Sequence, residues 1–260
     1  MNHLKSPRLK TVALALLGAL SFGAVGLAHA DVTLTRDYTL AELVGDQALT
    51  IQVGDKLFSH FDWHANGFYN DATGGLWNSL DLAAHINVHG EQVNNGNYGL
   101  DFTGPLQAHP GDSASAQLTY TVSVVNPHAD GRNWYLSDFH LDGDVLVSGG
   151  NGQAVVRQSV SDQQHTLIPL NPAGPLEVSQ YVPGVAVYND EAFTQAGLFP
   201  TQAEIETTIL LSASIPGTNA SVIHFQQQFS QAPAVPEPST WAMVLTGLAA
   251  IGFLQRRRSA

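Results

Sequence analysis

The sequence contains no cysteine. Disulfides, thiolate nucleophiles and Cys-ligated zinc or iron–sulfur centres are therefore excluded. Stability must rest on a packed core instead. Charge is scarce as well: Asp, Glu, Lys and Arg make up 12% of the residues, about half the usual share. Positive charge is scarcest, with ten Lys and Arg against 22 Asp and Glu. Lys5, Arg8 and Lys10 stand near the start, and Arg256, Arg257 and Arg258 near the end. Between Asp31 and Val235 only Arg36, Lys56, Arg132 and Arg157 remain, while every acid except Glu237 lies there. Such a surface repels phosphate backbones, so no nucleic-acid partner is expected. It suits solubility, and it attracts divalent cations or basic partners.

Several catalytic signatures are missing too. There is no Walker loop and no Gly-x-Ser-x-Gly; the nearest run is Gly111-Asp-Ser-Ala-Ser, in a predicted loop. Gly150-Asn-Gly152 lacks the third glycine of a dinucleotide loop and precedes a strand, which makes it a turn. The expectation is a protein that is not an enzyme.

The two ends carry processing signals. Lys5, Arg8 and Lys10, an apolar stretch from Thr11 to Leu27, and Ala28-His29-Ala30 are the three parts of a secretory signal peptide spanning residues 1–30. Ala28 and Ala30 hold the small positions of the cleavage site, and cleavage leaves Asp31 first. The expected partners are the Sec translocon and signal peptidase. At the other end, Val235-Pro236-Glu237-Pro238-Ser239-Thr240 precedes an apolar run from Trp241 to Leu254 and then Gln255-Arg256-Arg257-Arg258. Two prolines hold the first part extended. The apolar run is about 14 residues, ~21 Å as a helix, short for a full membrane span. Trp241 suits the interface, and the three Arg form a basic stop on the cytoplasmic side. This is the build of a removable sorting tail, here residues 233–260.

Those residues resemble the PEP-CTERM sorting domain. The resemblance implies recognition by an exosortase, with Pro236, Glu237 and Pro238 as the motif read. It also implies a transient anchor in the inner membrane and a Gram-negative host that makes exopolysaccharide. Leu40-Ala-Glu-Leu-Val-Gly, Leu49 to Ser59, Gln117-Leu-Thr-Tyr-Thr-Val and Leu136-Ser-Asp-Phe-His-Leu-Asp-Gly are similar to segments of other PEP-CTERM passengers.

Between the ends, residues 31–232 form the passenger. Hydrophobic residues are 44% of the chain, which argues against disorder. Leu118, Tyr120, Val122 and Val124 alternate with polar residues, the mark of a strand with one buried face. Leu49–Val53, Phe61–Trp63 and Ile86–Val88 alternate likewise. Further strands are expected at Val145–Val147, Val155–Val160, Leu176–Val178, Val185–Tyr188, Ile209–Ile215 and Val222–Phe225. Turns are expected at Asn95-Gly96, Asp130-Gly131, Asp142-Gly143, Asn151-Gly152 and Pro216-Gly217. Thr39-Leu-Ala-Glu42 reads as a capping box opening a short helix, and Asp190 to Ala196 as a second helix. The fold expected is all-β: an antiparallel β-sandwich or jelly roll with one or two short helices.

Three sets of residues bear on binding chemistry. His60-Phe-Asp-Trp-His64 and His85-Ile-Asn-Val-His89 share a His-x3-His spacing. On strands that spacing spans ~13 Å, too far for one metal with bonds near ~2 Å. A cross-strand site would instead draw on His60, Asp62 or His64 with His85 or His89. Asp138, His140, Asp142 and Asp144 share one strand face near Gly143, and hard carboxylates suit Ca²⁺; a plain polar face is the other reading. Trp77 and Trp134, beside predicted loops, are candidates for glycan stacking. The function expected is structural or adhesive, at the cell surface or in exopolysaccharide and biofilm. The alternatives are a secreted polysaccharide hydrolase and a calcium- or metal-stabilised carbohydrate-binding module.

Overall fold

A computed structural model describes residues 37–93, 97–125, 133–195, 197–198, 200–213 and 215–233, with Leu245, Thr246 and Leu248. All belong to the second of two units into which the chain divides, Asp31–Ala260. The signal segment with Ala28, Ala30 and Asp31, the sorting residues Pro236, Glu237 and Pro238, and Arg256, Arg257 and Arg258 lie outside the described residues. So do the turns expected at Asn95-Gly96 and Asp130-Gly131.

The strands run in the order β1 (Tyr38–Thr39), β2 (Ile51–Val53), β3 (Lys56–Asn66), β4 (Tyr69–Asn70), β5 (Gly75–Leu76), β6 (Asn87–Val93), β7 (Asn97–Ala108) and β8 (Ser113–Val124). They continue as β9 (Trp134–Ser148), β10 (Gln153–Ser161), β11 (Leu170–Asn171), β12 (Leu176–Val182), β13 (Val185–Val187), β14 (Asn189–Thr194), β15 (Gln202–Ser212) and β16 (Asn219–Pro233). Helix α1 (Leu40–Gly45) follows β1, and α2 (Ser79–Ala83) follows β5. Two seven-stranded sheets result. Sheet A has the order β1-β6-β7-β16-β9-β14-β11 and sheet B the order β13-β12-β10-β15-β8-β3-β2. Every pairing in them is antiparallel. The expected antiparallel sandwich is the fold.

Alternation builds the core. In β8, Leu118, Tyr120 and Val122 are buried while Gln117 and the intervening polar residues face out. The inward faces meet through aromatic rings. Phe58, Phe61 and Tyr120 of sheet B pack against Phe102, Phe139, Phe225 and Phe229 of sheet A. The Phe102 and Phe225 rings stack at 4.7 Å, and Phe58 lies 5.8 Å from Phe229. Each such pair adds about 0.5–1.5 kcal/mol beyond the area it buries.

One departure from strict alternation sets the inner face of β3. Ser59 pairs with Thr121 and Asp62 with Thr119, so His60 and Phe61 together oppose Tyr120. His60 takes a positive φ of 57° in this bulge. The extra residue shifts the phase, and Phe58, Phe61 and Trp63 all point inward. Trp63 also donates its indole N–H to the Ser79 carbonyl at 3.1 Å.

Helix α1 begins as the sequence predicts. The Thr39 hydroxyl accepts from the Glu42 N–H, and the Glu42 carboxylate accepts from the Thr39 N–H at 2.8 Å. The second helix is not where it was expected. Residues Asn189–Thr194 form strand β14, paired along β9. The free side of β9 needs a partner for its N–H and C=O groups, and that demand outweighs a weak local helix signal. The observed second helix, α2, is capped by Asn78, whose Oδ1 accepts from the Asp81 N–H at 2.9 Å. The turn expected at Asp142-Gly143 is a further correction: both residues lie inside the fifteen-residue β9. A Cβ on Gly143 would come 3.0 Å from the His224 carbonyl, where β16 bulges against β9. The glycine serves close strand approach and makes no turn. Two strand ends also differ by a few residues, with β13 stopping at Val187 and β15 at Ser212.

Candidate functional site

The polar chemistry of the molecule lies on the two outer sheet faces. On sheet A, β9 turns Asp138, His140, Asp142 and Asp144 outward, as their shared parity predicts. Across β16 they meet Ser230, Gln228, Gln226 and His224 in turn. Beyond those stand Asp101 on β7 and His89 and Glu91 on β6.

The acids and imidazoles of this face pair off locally. His89 contacts Asp37 at 2.5 Å, His224 contacts Asp144 at 3.4 Å, and His140 lies 4.0 Å from Asp142. Burial, helped by the nearby Asp101 carboxylate, pushes Glu91 above its ordinary range against the pull of His89 and His224. Asp138 is distinct. It is 6% exposed, and Ser230 donates to its Oδ2 at 3.0 Å. Its Oδ1 is buried without a donor, and the Glu191 carboxyl on β14 lies nearby. Burial, reinforced by Glu191, raises Asp138 to about 6.

The structure does not gather the residues predicted for a cation. Asp138, Asp142 and Asp144 stand in line along β9, ~20 Å from end to end. Among the described residues no three His, Asp or Glu side chains converge in a metal-holding group. His60 is hydrogen-bonded to Ser59 Oγ at 2.9 Å on sheet B. His85 follows α2, donates to the Asp81 carbonyl at 2.8 Å and lies 4.5 Å from the Trp77 ring. Trp77 and Trp134 are half-buried against the core rather than exposed on loops. Trp134 pairs with Pro233 at one end of β16, while the Trp77 backbone N–H donates to the Phe68 carbonyl, and Phe68 bridges to Ala108, beside Ala220 at the other end. They form no joint platform.

Sheet B carries a constellation that sequence reasoning missed. Its register aligns His64, Gln117, Thr208, Arg157 and Glu177 in one outward row across β3, β8, β15, β10 and β12. Arg157 Nε donates to Glu177 Oε2 at 2.7 Å, and Tyr181 Oη donates to Glu177 Oε1 at 3.0 Å. Burial alone would raise Glu177; hydrogen bonds from Arg157, Ser179 and Tyr181 outweigh it and hold the carboxyl below its usual range. Tyr181 thus reaches back four residues along β12, with Ser179 between the two in the chain. Ser179 is 5% exposed on an outward position. Its outward neighbour Val155 is fully buried although it lies outside the inter-sheet core. Tyr181 itself remains 46% exposed. A groove of about 380 Å³ adjoins the row, lined in part by His64, Ser115, Gln117 and Thr208. The one local signal for this set was an Arg at an outward strand position in a chain with few basic residues.

The described fold is that of an antiparallel β-sandwich. Residues 234–258 match the family model of the PEP-CTERM protein-sorting motif, and the chain carries that motif directly after β16. The motif marks an exported protein that is processed by exosortase and held by a transient C-terminal membrane anchor. Among the described residues no helix is long and apolar enough to cross a membrane, and the apolar run of the tail falls largely outside them. A search of curated proteins finds no match. Solved structures with partial likeness include TmCBM61 in complex with beta-1,4-galactotriose, at 15% identity and a TM-score of 0.26, over 66% of this chain and 88% of that one. Bacteriophage CBA120 tailspike protein 4 is similar at 15% identity and a TM-score of 0.24, over 67% of this chain and 19% of that one. A mutant of CBM29-2, a family 29 carbohydrate binding module, follows at 10% identity and a TM-score of 0.17, over 65% of this chain and 92% of that one. Likenesses this small assign neither ligand nor activity to this chain.

Proposed function

We propose that the chain is a non-enzymatic protein of the cell surface or exopolysaccharide matrix, where its sandwich has a structural or adhesive role in biofilm. The observation that carries this reading is the junction at Pro233: the last strand ends there and the sorting motif begins at the next residue. On this reading the passenger is one sandwich joined to its delivery signal. The arrangement of acids supports a role without catalysis. Carboxylates that cleave a glycosidic bond flank it from two sides. Asp138 and Glu191 lie close together on neighbouring strands, where each carboxylate opposes the charge of the other.

The test is intact-mass spectrometry of the protein from an exporting host, with and without its exosortase, together with a deletion strain. The expected protein starts at Asp31 and ends near Pro236 only where exosortase is present, and the deletion weakens the matrix. A tail unchanged through Arg258 in both strains removes the delivery route. A deletion strain with an unaltered matrix removes the structural role.

A further inference from the structure

We infer that the outer face of sheet B binds a neutral polysaccharide, with Tyr181 as stacking platform and Glu177, Arg157, Thr208 and Gln117 as a hydrogen-bonding row. The inference deepens the matrix role proposed above and names the class of ligand for it.

The aromatic platform is the first part of the argument. An aromatic ring that serves only packing buries both faces. The Tyr181 ring lies along its own strand, pinned at the hydroxyl by Glu177, with 46% of the residue open to solvent. A pyranose offers an apolar C–H face of matching size, and a ring already held at its hydroxyl loses little freedom when a sugar stacks on it.

The row supplies polar partners of the right kinds. Gln117 and Thr208 can each donate and accept, Arg157 donates, and Glu177 accepts. Vicinal sugar hydroxyls ask for that mixture. Arg157 and Glu177 are fixed against each other at 2.7 Å, so their remaining donors and lone pairs are presented in a set geometry. Five neighbouring strands carry the row over roughly 19 Å, four strand spacings of ~4.8 Å. That length, with a groove of about 380 Å³ at its far side, fits an oligomer better than a single sugar.

Charge selects a neutral chain. Arg157 is already matched by Glu177, and Glu206 lines the same groove. The protein carries a net charge of -12. An acidic polysaccharide would meet repulsion with no free cation in the row to offset it. Electrostatics likewise disfavours a second copy of this chain on the same face.

The experiment is affinity electrophoresis of the protein purified from an exporting host, in gels containing a soluble neutral glucan, mannan or xylan, with alginate as the polyanionic control. At least one neutral polymer should retard the protein, and alginate should not. Tyr181→Ala should weaken retardation roughly tenfold, the loss of one good contact. Tyr181→Phe, which keeps the ring but frees it from Glu177, should bind between the parent and Tyr181→Ala, and Phe193→Ala, an exposed ring on sheet A, should leave binding unchanged. Thermal melts of the variants check that each is folded. The inference is overturned if no neutral polymer retards the protein, if Tyr181→Ala binds as well as the parent, or if alginate binds best. It is also overturned if sedimentation shows a dimer that Tyr181→Ala dissolves. None of those outcomes touches exosortase processing or the matrix phenotype of the deletion strain, so the two proposals fail separately.

Discussion

Tyr120 of one sheet donates its hydroxyl to Gln227 Oε1 of the other at 2.9 Å, in the middle of the apolar core. Gln227 in turn donates through Nε2 to Gln158 Oε1 at 2.7 Å and to Thr207 Oγ1 at 2.8 Å. All three partners are fully buried at their side chains, and burial pushes the Tyr120 phenol well above its ordinary value. A polar bridge between apolar sheets fixes how they slide over each other, because any other register leaves these groups without partners.

Tyr120→Phe should therefore cost about 1–3 kcal/mol, the penalty for leaving the Gln227 oxygen buried without a donor. Gln227→Leu should cost at least as much, since it strands Tyr120. The double variant should lose less than the two single losses added together, because each change removes the other's orphan. Urea unfolding of the four proteins measures this; strict additivity would mean the bridge carries no coupling.

Asp138 makes stability depend on pH in a direction unusual for an acid. Its folded value, about 6, lies above the ordinary 3.8. The native state then binds the proton more tightly than the unfolded chain does. Stability is greatest below about pH 4 for this group and falls as pH rises through about 6. Asp138→Asn, which keeps the shape without the charge, should be more stable than the parent at pH 7 by up to about 3 kcal/mol, at ~1.4 kcal/mol per unit. The gain should vanish near pH 4. Unfolding curves at pH 4, 5, 6 and 7 decide it, and a gain independent of pH would assign the effect to packing.

The sequence reveals some features of this molecule and hides others for identifiable reasons. Alternation from Gln117 to Val124 and the Thr39–Glu42 capping box are local, and both are found where the residues place them. The strand at Asn189–Thr194 was hidden because its partner β9 lies some fifty residues earlier in the chain. The Asp142-Gly143 pair looks like a turn until the bulge of β16 is seen pressing on it. Helix α2 left a readable trace in Asn78-x-x-Asp81, the spacing of an N-cap. The Arg157–Glu177–Tyr181 set left almost none. It exists because β10 and β12 pair in one register, and a slip of one residue would turn Arg157 into the core.

Lys56 has no exposed surface and rests on Asp55, with the Tyr98 ring 5.6 Å from its ammonium. Gln231 donates to the same carboxylate. Burial lowers the Lys56 value against the opposing pull of Asp55. Asp55→Asn leaves the buried ammonium without its counter-charge and should cost about 3–5 kcal/mol at pH 7. A lysine depressed on folding binds its proton more weakly in the native state, so part of the loss should return as pH rises toward 10.5. Thermal melts at pH 7 and pH 10 measure both effects. An equal loss at the two values would show that the charge of Lys56 is not the cause.

Gly149 and Gly184 take nearly the same backbone conformation, with φ of 81° and 80°. Their surroundings differ. A Cβ on Gly184 meets open space, whereas one on Gly149 would sit 1.9 Å from the Gly217 carbonyl oxygen. That contact joins the end of β9 to the turn before β16, two central strands of sheet A. Gly184→Ala should cost only the left-handed penalty of about 1–2 kcal/mol. Gly149→Ala adds a clash with backbone that cannot swing aside, so about 3 kcal/mol or more is expected. Comparing urea midpoints of the two variants separates conformational strain from packing. Equal losses would mean that the turn before β16 yields freely and that Gly149 matters only for its dihedral angle.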